Sequence, residues 1–193
     1  ASKVAKGYRF SVLTNSTTYR LRLMATYATG EMDNGWAFAA SVSTRLGGND
    51  YVTGVYYNAL AYFLAAEKNI NDRHRFGLTI FGSPVQRGAQ NSSTQEVYDR
   101  LGNNYNNSNW GYQNGKVRNA KVRNNHEPVA LFNYEFTPSY EWKVNVGLSY
   151  RFGRNGYSSL DWYDAPDPRP DYYRNLPSYY DDDPQKAAWV REG

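Results

Sequence analysis

The chain has 193 residues, no cysteine, and 22 Lys and Arg against 18 Asp and Glu, a net charge of +4. Disulfides, thiol catalysis and Cys-ligated metals are thereby excluded, and the small cationic excess is not gathered into the patch that a nucleic-acid surface needs. The longest apolar run, ALAYFLAA at 59–66, falls far short of the about 20 residues of a membrane-spanning helix, while a mean hydropathy of -0.79 fits a soluble protein or a membrane β-barrel, whose strands are apolar only at every second position.

Alternation with a period of two runs through the chain in order. GYRFSVLT (7–14) sets Tyr8, Phe10 and Val12 against Arg9 and Ser11. The segment 18–29 sets Tyr19, Leu21, Leu23, Ala25 and Tyr27 against Arg20, Arg22, Met24 and Thr26. In 35–46, Trp36, Phe38, Ala40 and Val42 oppose Ala37, Ser41, Ser43 and Arg45. NALAYFLAAEKN (58–69) is apolar on both faces, so its facing stays open. Phe76, Leu78 and Ile80 oppose Arg75, Gly77 and Thr79 in 72–82; Ala130, Phe132, Tyr134 and Phe136 oppose Asn133 and Glu135 in 128–136. The clearest case is 141–152, where Trp142, Val144, Val146, Leu148, Tyr150 and Phe152 face away from Lys143, Asn145, Gly147, Ser149 and Arg151.

These seven segments predict an all-β, antiparallel architecture with strands close to the about 9–11 residues of a tilted transmembrane strand. Six cations on the polar face (Arg20, Arg22, Arg45, Arg75, Lys143 and Arg151) demand that this face be wet. Aromatic residues near strand ends, among them Tyr8, Tyr27, Trp36, Trp142 and Phe152, favour a barrel with interfacial girdles over a soluble sheet. From residue 31 onward, short connections (31–34, 70–71, 137–140) alternate with longer ones (47–57, 83–127, 153–193), the asymmetry of outer-membrane barrels; the short connection at 15–17 is the exception.

The two long runs carry the remaining chemistry. The stretch NNYNNSNWGYQNG within 83–127 offers turns and presents Trp110 and Tyr112, while 92–101 reads as a short helix with Ser93 or Thr94 as its cap before Glu96. Its asparagines equally suit a packed loop in which they satisfy backbone groups. The basic run KVRNAKVRNNH (116–126) suits an anionic surface, a solvated strand pair, or pairing with the acidic run 161–184. That last run holds seven Asp, five Pro and six aromatic residues in 24 positions. Its prolines restrict the backbone and its rings provide surface to bury, so an ordered loop is expected. His74 and His126 stand far apart without a zinc motif, and Asp181, Asp182 and Asp183 lack EF-hand spacing. Neither a metal nor a cofactor is expected, and no motif argues for an enzyme.

Together, residues 83–128, FGRNG at 152–156, the 161–184 run and the early strands 21–82 resemble TonB-dependent receptors of the Bacteroidota outer membrane, and within them the SusC-like importers. The resemblance implies a plugged barrel of roughly 22 strands that imports a bulky nutrient such as a glycan or peptide. It also implies residence in the outer membrane among lipids and lipopolysaccharide, a SusD-like surface lipoprotein as partner, and energy from a TonB complex reached through N-terminal parts. Plug and most strands are not in this chain. Residues 1–193 are therefore expected to be a fragment, the first part of the barrel after the plug, with extracellular loops at 83–127 and 153–193. No nucleic acid is expected as a partner. The loop rings Trp110, Tyr112, Trp162, Tyr163, Tyr172, Tyr173, Tyr179 and Tyr180 are the expected substrate contacts. A soluble β-sandwich or jelly-roll carbohydrate-binding module, and a passive porin or adhesin barrel, are the alternatives.

Overall fold

A computed structural model describes residues 1–48 and 52–192. Residues 49–51 of the expected 47–57 connection, and residue 193 at the end of the last run, lie outside the described residues. In chain order the elements are β1 (Gly7–Thr14), β2 (Leu21–Glu31), β3 (Trp36–Gly47), β4 (Tyr57–Asn71), β5 (His74–Gly82) and β6 (Val85–Gly88). Then follow α1 (Gln95–Leu101), β7 (Trp110–Gln113), β8 (Lys116–Asn119), β9 (Lys121–His126), β10 (Val129–Ser139), β11 (Trp142–Arg151), β12 (Arg154–Ser159) and α2 (Pro184–Glu192). The fold is mostly antiparallel β-sheet. It divides into two compact units, the first comprising Ala1–Gly48, Tyr57–Gln86 and Asn124–Gly156.

Seven strands pair antiparallel in the order β1-β2-β3-β4-β5-β10-β11. Among the described residues β1 and β11 have one neighbour each on this path, so the sheet is open rather than closed on itself. Off the path, β12 pairs with β9, β9 with β6, and β6 with β4. The expected strands are thus found near their positions, with altered ends. The runs 83–127 and 153–193 are not plain loops, because β6, β9 and β12 add regular pairing within them.

Register makes the two faces unlike. Tyr8, Tyr27, Ala40, Leu64, Ile80, Ala130 and Tyr150 form one row across all seven strands. The next row toward the tight turns holds Phe38, Ala66, Leu78, Phe132 and Leu148, and the one after it Trp36, Lys68, Phe76, Tyr134 and Val146. Lys68 is the cation in these rows. Its ammonium reaches the Asn34 carbonyl at 2.6 Å and lies 5.2 Å from the Trp36 ring centre, so its charge leaves the face at the turn. The doubly apolar β4 is thereby oriented: Leu60, Tyr62, Leu64 and Ala66 share this face, and Ala59, Ala61, Phe63 and Ala65 the other.

The apolar face is uncovered. Phe10 is 76% exposed, Tyr150 68%, Leu148 64% and Leu64 52%. The buried alanines of the sheet sit on the opposite face, where Ala28, Ala39 and Ala65 are adjacent and Ala1, Val4 and Phe63 pack on them. Glu67, on the same face, accepts the Ser2 backbone N–H at 3.0 Å. Around this small-residue strip lie Arg9, Arg22, Arg45, Arg75, Lys143 and Arg151, with ion pairs from Lys143 to Glu135 (2.9 Å) and from Arg151 to Glu127 (2.6 Å).

Tight turns join β2 to β3, β4 to β5 and β10 to β11 at one end of the sheet. The second falls at residues 72–73 rather than 70–71, because the Asn71 side-chain oxygen accepts the N–H groups of Arg73 (2.9 Å) and His74 (3.0 Å) and so organises the turn after itself. The third falls at 140–141 rather than 137–140, because an irregularity between Phe136 and Ser139 lets β10 continue to Ser139.

In the first turn Gly35 has φ +76° and its carbonyl accepts the Asn69 N–H at 2.7 Å. A Cβ there would meet the Asn69 carbonyl oxygen as well as an unfavourable backbone conformation. Gly35→Ala is expected to destabilise the sheet by about 1–3 kcal/mol, read as a lower midpoint in denaturant unfolding followed by circular dichroism. An unchanged midpoint would mean that the β2–β3 turn does not depend on this approach.

Candidate functional site

The second unit takes the described residues within Asn49–Tyr56, Arg87–Arg123 and Tyr157–Gly193. Its centre is polar. The carbonyl oxygen of Ala89 accepts three side-chain amides, from Asn107 (3.2 Å), Asn109 (3.2 Å) and Asn119 (2.8 Å). All three asparagines are buried. Asn107 also donates to the Thr53 carbonyl (3.2 Å) and Asn119 to that of Gly54 (2.7 Å). Their own side-chain oxygens accept backbone N–H groups, Asn107 from Asn91 and Asn109, Asn119 from Lys121. An asparagine carries both donors and acceptor on one short stem, so it can bond several passing backbones that have no sheet partner. Satisfying them matters because an unpaired buried polar group costs about 1–3 kcal/mol.

This hub fixes the residues beside it. β7 and β8 form a hairpin whose Asn114-Gly115 turn has φ 52° and 74°, the two positive values that the Asn-Gly pair accommodates. Trp110 directly follows hub residue Asn109, and its N–H donates to the Asn107 carbonyl at 3.3 Å. Gly54, with φ +79°, lets the chain pass close by: a Cβ there would lie 2.6 Å from that of Trp110. Two residues past the other hub residue, Asn119, stands Lys121. Between them the Ala120 N–H donates to the Asn109 carbonyl at 2.6 Å, while the Ala120 carbonyl accepts the Leu160 N–H at 2.8 Å.

A cavity of about 420 Å³ opens here, with Trp110, Tyr112, Arg118, Lys121, Trp162 and Arg169 in its wall. The Trp110 and Tyr112 rings meet edge to face, 5.6 Å between centres and 79° between planes. Arg118 donates to the Gln113 side-chain oxygen at 2.6 Å. Arg169 is bound by the Asp167 carboxylate, and its guanidinium holds that carboxyl below the usual range against the opposing effect of burial. The same pairing raises the Arg169 guanidinium further above its ordinary value.

Three of the eight expected contact rings, Trp110, Tyr112 and Trp162, thus share one cavity. Tyr163 stands apart, 88% exposed. The other four pack on one another tilted or edge to face, with ring centres 4.6 Å (Tyr172–Tyr173), 5.0 Å (Tyr173–Tyr179) and 5.1 Å (Tyr179–Tyr180) apart. Arg169, Arg174 and Lys186 lie over the rings of Tyr172, Tyr173 and Tyr180 at 5.5, 5.7 and 4.8 Å. These tyrosines hold the run 161–184 together, with Tyr173 and Tyr179 still about half exposed.

Thr94 occupies the N-cap of α1, one of the two positions expected, but makes no side-chain hydrogen bond there, and the Ser93 hydroxyl bonds to Asp171 (2.5 Å). The acidic run is attached to 83–127 by this bond, by Asn106 to Asp171 (3.2 Å) and by Ser178 to Glu96. Among the described residues no ion pair joins it to the basic run 116–126, which folds as β8 and β9. Asp183 accepts the Lys186 N–H at 3.1 Å and caps α2, whose first residue is Pro184.

The cavity cations Lys121 and Arg118 were visible in the sequence only as members of a basic run, and Arg169 only as one charge among aspartates. Compared with known proteins, the chain matches no family model, no curated protein and no solved structure.

Asn119→Ala removes the donors to Ala89 and Gly54 at once. It is expected to cost about 1–3 kcal/mol, seen as an earlier transition in denaturant unfolding followed by tryptophan fluorescence. A transition that stays in place would remove the hub from this account.

Proposed function

We propose that this chain supplies wall strands and substrate-side loops, the runs 83–127 and 153–193, to an outer-membrane β-barrel, and that the barrel is a TonB-dependent importer of a bulky nutrient such as a glycan or peptide. The observation that carries the membrane reading is the uncovered apolar face, continuous over seven strands and backed by a face rich in Arg, Ser and Ala. Exposed apolar patches of this extent mark a surface that meets something other than water. From Trp142 to Phe152 the apolar positions of β11 cover about ten residue steps, or about 33 Å along the strand. At the tilt of about 35–45° found in barrels this makes a band about 25 Å tall, the height of an outer-membrane apolar belt.

Rings and aliphatic side chains share that face. The stacked pairs Tyr8–Tyr27 (4.6 Å), Trp36–Phe38 (5.4 Å), Phe76–Tyr134 (4.6 Å) and Tyr150–Phe152 (5.5 Å) lie in the rows of Leu64, Leu78, Ile80 and Leu148 or in rows next to them. The open edges of β1 and β11 require further strands, since unpaired backbone groups in hydrocarbon cost several kcal/mol each. The TonB-dependent, SusC-like assignment, and with it a SusD-like lipoprotein partner, rests on the resemblance of the two long runs and the early strands.

Leu148 and Ser149 are neighbours on opposite faces. In cells producing the full reading frame, Leu148→Arg is expected to lower the folded protein recovered from the outer membrane, at a cost of about 2–4 kcal/mol for a cation near mid-bilayer. Ser149→Arg is expected to leave recovery unchanged. Uptake of the nutrient should stop when an uncoupler collapses the inner-membrane potential. Recovery of both variants in the soluble fraction would reject the membrane reading; uptake that persists without energy would identify a passive pore.

A further inference from the structure

The cavity beside the β7–β8 hairpin has a charge pattern that the importer reading does not use. Among the described residues no Asp or Glu lines it, while three cations do. Arg169 is already neutralised by Asp167. Among the described residues Arg118 has only the neutral Gln113 amide as hydrogen-bond partner, and Lys121 has no carboxylate partner. The wall therefore presents two uncompensated cations within reach of a ligand seated on the rings. An uncompensated cation beside an apolar surface is an anion-binding group, and Arg118 in particular carries a planar fork suited to a carboxylate or sulfate.

The rings select the body of the ligand. A flat aromatic ligand binds best in a slot between parallel rings. Trp110 and Tyr112 instead form a corner at 79°, and Gly111 between them leaves open space where a Cβ would stand. A corner suits a puckered ring, which has a C–H face to lie on one aromatic plane and hydroxyls along its edge. The hydroxyls find the Gln113 amide, and Trp162 adds a further apolar surface. The backing is fixed, since the hub at Ala89 holds Asn109 and Asn119 beside Trp110 and Lys121. A backbone held in place keeps part of the ordering cost of binding low. The volume of about 420 Å³ is that of a small-ligand pocket.

We infer that this cavity binds an acidic saccharide, a pyranose ring carrying a carboxylate or sulfate, with the sugar on Trp110 and Tyr112 and its anion on Lys121 and Arg118. The inference names the substrate class of the importer proposed above, and its physiological meaning rests on that reading.

The test is a tryptophan-fluorescence titration of the full chain in detergent with four probes: a tetragalacturonate, a sulfated chondroitin tetrasaccharide, maltotetraose and adenosine monophosphate. Saturable binding of a carboxylated or sulfated probe is expected, roughly tenfold tighter than maltotetraose, and Lys121→Gln should abolish that preference. The two anionic sugars distinguish carboxylate from sulfate as the recognised group. Circular dichroism of Lys121→Gln establishes that it folds, and Arg118→Gln provides a second, independent removal of charge. The inference is overturned if neither anionic sugar binds, if maltotetraose binds as tightly, if both variants keep the preference, or if the nucleotide binds best. Binding needs no energised membrane, so energy-independent uptake with intact acidic-sugar binding would reject the importer and keep the site. Energy-dependent uptake without that binding would do the reverse.

Discussion

Successive residues of a strand face opposite sides of a sheet, and in this chain the alternation stays in register across seven strands. That constraint organises everything in the first unit. Because Tyr8, Tyr27, Ala40, Leu64, Ile80, Ala130 and Tyr150 fall in one row, a slip of one residue in any strand would carry its apolar set to the face that holds Arg9, Arg22, Arg45, Arg75 and Arg151. The side that is buried is not the side with large hydrophobic residues. Alanines at 28, 39 and 65 are covered by the first residues of the chain, while leucines and rings stand exposed. A soluble protein has this distribution inside out, and the membrane proposal follows from the inversion.

The second unit is stabilised by a different means. It has little apolar interior and relies on asparagine amides converging on the Ala89 carbonyl, with hydroxyl and amide bonds to Asp171 and a Ser178–Glu96 bond holding the acidic run. Such a network is directional where hydrophobic burial is not, so it holds backbone segments at set distances without a sheet between them. The result is a cavity whose aromatic and cationic walls belong to segments far apart in sequence.

Much of the sheet was legible because its signal is local: in β11 each side chain's type declares its face. β4 was legible as a strand but not in its facing, since Ala59, Ala61, Phe63 and Ala65 are as apolar as Leu60, Tyr62 and Leu64; only pairing with β3 and β5 decides it. Turn positions moved by a few residues where Asn71 bonds forward into the turn and where β10 continues past an irregularity. The cavity was half legible. Its rings stood out by type, but the choice of Trp110, Tyr112 and Trp162 over Tyr163 and the Tyr172–Tyr180 cluster depends on contacts between distant segments. Among the described residues no ion pair forms between the basic and acidic runs; within the acidic run Asp167 binds Arg169, two residues away, and Asp171 accepts Ser93 and Asn106.

The central claim is that one face of the sheet meets lipid and the other water. Since the chain has no native cysteine, single cysteines at 145, 146, 147, 148 and 149 can each carry a polarity-sensitive fluorophore in the intact protein reconstituted into lipid vesicles. The account predicts a strict alternation: labels at 146 and 148 emit at shorter wavelength and are quenched by lipid-borne nitroxides, whereas those at 145, 147 and 149 are quenched by aqueous iodide. Equal quenching by iodide at all five positions would contradict it.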